Sequence, residues 1–261
     1  MNCIFICLFN NPHYINMLYL LLDSIYNYGL KNDQSCTEIL IYTSIKFMDI
    51  IKQSPFYRKH LICFEINDTY GSVEKACKAR LDLFSLQSIH KYSKILYLDT
   101  DIIVKGDLQN IFDLCQKDKL YVLEEGSINS DTDFWGKTLF LNAEDLDLYT
   151  NKPAFSTAFS SGILLFNNCE KIKELFLNIR NDILKRPFKF YCHDQPYIVY
   201  NAFKYDLYDN QILKQFVVNN DPNFCSDKII HHFPGDPGMH RDKLKHMFAF
   251  VSGLKQLCLT I

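Results

Sequence analysis

The chain has no apolar run long enough to cross a bilayer. Its opening, MNCIFICLFNN, is apolar for only about nine residues against the ~20 that a spanning helix needs, and no basic segment precedes it. That stretch reads as a first β-strand, so a cytoplasmic setting is expected. There is no CxxC pair among the 10 cysteines, which are scattered from Cys3 to Cys258. This spacing argues against a secreted disulfide framework, and the thiols are expected to be reduced and mostly buried. Neither sign of charge is in excess: a net charge of −2 gives no general attraction to nucleic acid or to an anionic membrane, and no nucleic-acid partner is expected. No linker, repeat or low-complexity tract divides the chain, which predicts a single domain over residues 1–261. Tryptophan is reduced to one residue, Trp135.

What is present is a core. With 48% hydrophobic residues in 261, the chain is long enough to bury a sizeable interior. In its first third, strand-like and helix-like segments alternate, the pattern that builds a parallel sheet from βαβ units. Strands are expected at 2–9, 38–43 and 61–66, with a helix at 13–29 closed by Gly29 and a long amphipathic helix at 73–91. The run ILYL is then the fourth strand. Farther on, strands are expected at 119–125, 159–168 and 228–233, and helices at 169–185, from HDQP onward, and at 240–257. Residues 126–157 read as a longer irregular region.

The stretch KILYLDTDIIVKGDL, Lys94 to Leu108, interrupts an apolar run with two carboxylates. Burying such a pair is costly unless a positive charge sits between them. Side chains at i and i+2 of an extended segment share a face, so Asp99 and Asp101 can meet one cation while Thr100 points away. Mg²⁺ or Mn²⁺ fits, since these hard ions take carboxylate and diphosphate oxygens together. Turn or capping carboxylates are the alternative, but they have no need of apolar flanks. In HHFPGDPG, residues 231–238, a strand would point His231 and His232 to opposite faces, leaving one of them to reach a metal. Gly235 and Gly238 let backbone N–H groups approach phosphate oxygens, although a plain proline-glycine turn explains them as well. In HDQP, residues 193–196, Asp194 reads as a helix N-cap and Pro196 as a first-turn proline. Capping does not explain Gln195.

Taken in order, these pieces resemble the family 8 glycosyltransferases, the glycogenin-like and bacterial lipopolysaccharide galactosyltransferase-like enzymes. The resemblance rests on KARLDLF, YLDTDIIVKGDLQNIF, FSSGILLFN, DQP and HFPG in matching sequence. It implies an α/β single-domain GT-A fold with a Rossmann-like, mostly parallel mixed sheet flanked by helices. It also implies a retaining hexosyltransferase that moves glucose or galactose from a UDP-sugar to an acceptor hydroxyl with Mn²⁺ or Mg²⁺. The acceptor is a glycan or a protein, the chain's own tyrosines included, and a homodimer is compatible with the family.

Carried over by position, Asp99, Asp101 and His232 are the implied metal ligands, and His231 does not match. Arg80, or Lys78 before it, is implied at the donor sugar or diphosphate, and Tyr14 against the uracil. Thr100 within the motif and Ser160, which stands where the family has asparagine, are counted with the donor-binding residues. Asp194 and Gln195 match the pair beside the anomeric carbon. One departure matters: the family's diphosphate lysine is Gly238 here. Its role is expected to pass to the Gly235 and Gly238 amides, or to Lys243 or Lys245. Two other readings stay open at this point. One is a haloacid dehalogenase-type phosphatase, whose DxD lies on its first strand; the other is a nucleotide-sugar or glycan-binding protein without turnover.

Overall fold

The computed structural model describes residues 1–30, 37–130, 133–141, 157–187, 194–223, 225–235 and 240–260. Four parallel strands form its first half: β1 (Asn2–Leu8), β2 (Thr37–Thr43), β3 (Ile62–Ile66) and β4 (Lys94–Leu98). Their apolar runs are continuous because helices cover both faces of the sheet; Cys3 through Ile6, for instance, are completely buried. Helix α1 (His13–Ser24) passes into a π-turn at Ile25–Gly29, and α2 (Ile45–Lys52) begins at Ser44, whose hydroxyl accepts from the Phe47 N–H. At Gly29 the π-turn meets a later loop, where a side chain would come within 3.1 Å of Leu108 and Val104.

Two antiparallel strands, β6 (Leu120–Ser127) and β7 (Thr157–Asn167), and the short β8 (Tyr208–Asp209) complete a sheet of order β3-β2-β1-β4-β7-β6-β8. The order reverses between β1 and β4. Ligands of open α/β sheets bind beyond the carboxyl ends of strands at such a point, and DTD follows β4 there.

The expected continuous helix at 73–91 is not found. Only α3 (Val73–Lys78) is α-helical; Ala79–Ser85 and Ile89–Lys91 are 3₁₀ turns. At three residues per turn Ala79, Arg80 and Leu81 point in three directions, and all three are buried.

The DTD run also divides. Leu98 ends β4 in the large sheet, whereas β5 (Ile102–Val104) belongs to a second sheet of order β5-β10-β9, with β9 at Val217–Asn219 and β10 at Ile230–His232. Residues 99–101 therefore bridge two sheets, which accounts for the apolar residues on either side of them. The remaining helices are α4 (Gln109–Phe112), α5 (Lys137–Leu141), α6 (Glu170–Lys185), α7 (Gln195–Lys204) and α8 (His240–Thr260). Helix α6 packs on the sheet through Ile172, Leu175, Phe176, Ile179 and Ile183, at helical spacing. Among the described residues no helix is long and apolar enough to cross a membrane.

Candidate active site

The two sheets bring the three proposed ligands together through backbone pairing. Asp99 N–H donates to Gly162 O on β7 at 2.9 Å, and Phe233 N–H donates to Asp101 O at 2.9 Å. Because β10 runs antiparallel to β5 with His232 opposite Ile102, the imidazole arrives beside Asp101. One ligand atom from each of Asp99, Asp101 and His232 lies within 4.8 Å of the others.

His232 Nδ1 is 2.8 Å from Asn219 Oδ1. An amide oxygen only accepts, so this contact assigns the proton to Nδ1 and leaves a lone pair on Nε2. That lone pair faces Asp101 Oδ1 at 3.4 Å, and this buried oxygen accepts no hydrogen bond. Two buried lone pairs facing each other without a proton between them suit a cation. Two carboxylates and an imidazole are a donor set that Mn²⁺ or Mg²⁺ accepts.

Lys243 approaches from α8, its Nζ donating to Asp101 Oδ2 at 2.6 Å. Burial opposes the charge on Asp101, but the Lys243 ammonium outweighs it and holds the carboxyl well below its usual range. Burial likewise opposes the Lys243 ammonium, and Asp101 more than compensates, raising its pKa. Gly162 closes the other side. A Cβ there would lie 2.5 Å from His232 Cε1, 2.7 Å from Nε2 and 3.1 Å from Asp99 Oδ2.

Arg80 is the second organising group. Its Nε is 2.8 Å from Asp194 Oδ2, and its Nη1 is 3.4 Å from Asp99 Oδ1 while donating to Ser161 O at 2.6 Å. The guanidinium also lies 4.7 Å from the centre of the Tyr97 ring, whose hydroxyl donates to Asp99 Oδ1. Burial works against the Arg80 charge, yet Asp194 and Asp99 overcome it and raise the pKa well above its ordinary value. Asp194 stands at the N-cap of α7 but makes no side-chain capping bond; its carboxylate turns to Arg80 instead. Gln195 Oε1 accepts from both the N–H and the hydroxyl of Ser161, each at 3.1 Å, and its Nε2 donates to Phe134 O at 3.4 Å.

These groups line two joined cavities. One opens beside the end of β1, against Leu8, Phe9, Asn10 and Thr100; the other, of about 310 Å³, extends past Ser160, Asp194, Gln195, His232 and Gly235. Tyr14, Arg80, Asp99, Asp101 and Lys243 border both. Lys78 borders neither: it pairs with Glu74 at 2.9 Å on the outer face of α3. His231 is fully buried, its ring 4.4 Å from that of Phe250. Lys245 is exposed on α8. His193 and Gly238 lie outside the described residues. Sequence reasoning missed Asn219, which sits in no motif and becomes visible only when β9 pairs with β10. It also missed Glu125 and Trp135, which line the second cavity.

The class follows from this fold: it is the GT-A fold of glycosyltransferases. It is similar to that of the galactosyltransferase LgtC, solved with donor and acceptor sugar analogs, with a TM-score of 0.63 and 16% identity over 97% of this chain and 96% of that one. Mouse xyloside xylosyltransferase 1, in its apo form, is similar at a TM-score of 0.60 and 12% identity, over 89% of this chain and 98% of that one. The bifunctional glycosyltransferase WbbM, also apo, matches 94% of this chain with a TM-score of 0.62 and 16% identity, and the chain spans about half of it, 49%. No curated protein sequence matches the chain. The model of glycosyl transferase family 8 matches residues 34–208, and the chain belongs to that family.

Proposed function

We propose that residues 1–261 form one catalytic domain that transfers a hexose from a UDP-sugar to an acceptor hydroxyl with retention at the anomeric carbon. Mn²⁺ or Mg²⁺ is held by Asp99, Asp101 and His232. The observation that carries this reading is the meeting of Asp99, Asp101 and His232, one ligand atom from each within 4.8 Å of the others, placed where the strand order reverses. A bound cation supplies Lewis acidity to the departing diphosphate.

The chain's own residues do the rest. Tyr14 and the end of β1 form the chamber for the nucleoside. Lys243, which borders both cavities, offers its ammonium to the diphosphate in place of the lysine absent at position 238, and this favours turnover over binding alone. Arg80 holds Asp194 through a 2.8 Å ion pair, and Asp194 with Gln195 faces the sugar, where positive charge develops as UDP departs. A phosphatase of the haloacid dehalogenase type is disfavoured, because DTD here follows the fourth strand rather than the first.

Incubation with Mn²⁺ and a panel of UDP-sugars tests the proposal. Donor hydrolysis or transfer is expected with at least one hexose donor, and inertness toward all of them overturns it. Gly162→Ala probes the cation site separately. The added methyl collides with His232 Nε2, so Mn²⁺ affinity is expected to fall roughly tenfold or more while the far-UV circular dichroism is kept. Unchanged affinity would mean that His232 is not a ligand.

A further inference from the structure

Two cationic side chains serve this site, and they are held differently. Arg80 is fixed by several contacts at once, to Asp194, Asp99 and the carbonyls of Ser161 and Cys77. Lys243 has a single hydrogen bond among the described residues, to Asp101 Oδ2 at 2.6 Å. A planar guanidinium caught among several acceptors stays in place, whereas an ammonium on a flexible stem can turn to another partner.

The helix that carries Lys243 has no need to move. Met247, Phe250 and Leu254 of α8 share a buried cluster with Met17, Leu20 and Phe233. Lys243 stands one turn into that helix and borders both cavities. Rotation of its side chain alone therefore decides which acceptor the ammonium meets.

Asp101 is where two demands collide. Its Oδ2 takes the ammonium, while Oδ1 faces His232 Nε2 at 3.4 Å and accepts no hydrogen bond. A cation held by Asp99, Asp101 and His232 thus shares one carboxylate with Lys243. Like charges placed this close repel, and more strongly where both side chains are largely enclosed. A diphosphate changes the balance, because its oxygens offer the ammonium a second charged acceptor in a cavity it already borders.

We infer that Lys243 has two positions, on Asp101 without nucleotide and on the diphosphate with it, and that this exchange makes cation and nucleotide bind cooperatively. The inference rests on the proposed function for the identity of both ligands. With Lys243 on Asp101, an entering cation meets a like charge; with Lys243 on the diphosphate, it meets a freed carboxylate oxygen. A lysine that stayed on Asp101 would repel the cation equally in both states and give no coupling. Coupling between two ligands is reciprocal, so either of them reports it.

Lys243→Met tests the exchange, with Lys243→Gln as a second variant that keeps a donor for Asp101 and loses only the charge. Mn²⁺ binding is followed by electron paramagnetic resonance of the free ion, without nucleotide and with saturating UDP, corrected for Mn²⁺ that UDP holds in solution. Without UDP, both variants are expected to bind Mn²⁺ roughly tenfold tighter than the wild type, since the competing charge is gone. The factor by which UDP tightens Mn²⁺ binding is expected to shrink by the same roughly tenfold, and calorimetric titration of UDP with and without Mn²⁺ should return the same factor.

Mn²⁺ binding that is unchanged or weaker in the variants without UDP overturns the inference, weaker binding being what a contact that only positions Asp101 would give. A UDP-induced factor equal in all three proteins overturns it as well. If no protein binds Mn²⁺, with or without UDP, the metal site of the proposed function falls, and the inference falls with it.

Discussion

Arg80→Met is expected to lower the unfolding free energy by about 3–5 kcal/mol, the range seen when one partner is removed from a buried ion pair. Arg80 is buried and serves two carboxylates and two carbonyls at once, and of these Asp194 is almost wholly enclosed. Removing the guanidinium takes from the buried Asp194 its 2.8 Å ion pair. The double variant Arg80→Met/Asp194→Asn removes the carboxylate charge as well and is expected to recover more than half of the loss. Urea unfolding of the wild type and both variants measures this directly. If the single variant is within 1 kcal/mol of wild type, a margin typical of surface changes, Arg80 is not the organising charge described above.

Asp101→Asn is expected to have two separable effects. It removes the carboxylate that faces both His232 and Lys243, so Mn²⁺ affinity falls on the order of 100-fold, as expected for loss of a charged ligand. It also leaves the largely enclosed Lys243 ammonium without its partner, at a cost of about 1–3 kcal/mol in stability. Adding Lys243→Met to the variant should restore stability and leave metal binding lost. Recovery of both properties in the double variant, or of neither, would contradict the separate roles given to Asp101.

Much of the architecture was legible because apolar periodicity reports which faces are buried. The strand runs at 2–9, 38–43, 61–66 and 119–125 correspond to observed strands within a residue or two, as expected where both faces of a sheet are covered. The 73–91 helix was not legible in detail: VEKACKARLDLFSLQSIHK gives nearly the same apolar spacing at 3.6 and at 3.0 residues per turn, and only packing against the sheet selects the 3₁₀ form that buries Arg80. The DTD pair was visible as two acids in an apolar run. Its position across two sheets was not, because no glycine or proline marks the break between β4 and β5. HFPG pointed to His232, whereas Asn219, which sets the imidazole proton, depends on strand pairing between segments 13 residues apart. Lys243 was offered by sequence as one of several substitutes for the lysine absent at 238, and its contact with Asp101 is a tertiary fact set by how α8 docks.

The most direct test of the account is calorimetric titration of UDP into the protein with and without Mn²⁺, repeated for His232→Ala. UDP is expected to bind the wild type with Mn²⁺, omitting the cation is expected to weaken binding at least tenfold, and His232→Ala is expected to lose the dependence on Mn²⁺. UDP binding of equal strength with and without the cation, or no binding in either condition, would contradict it.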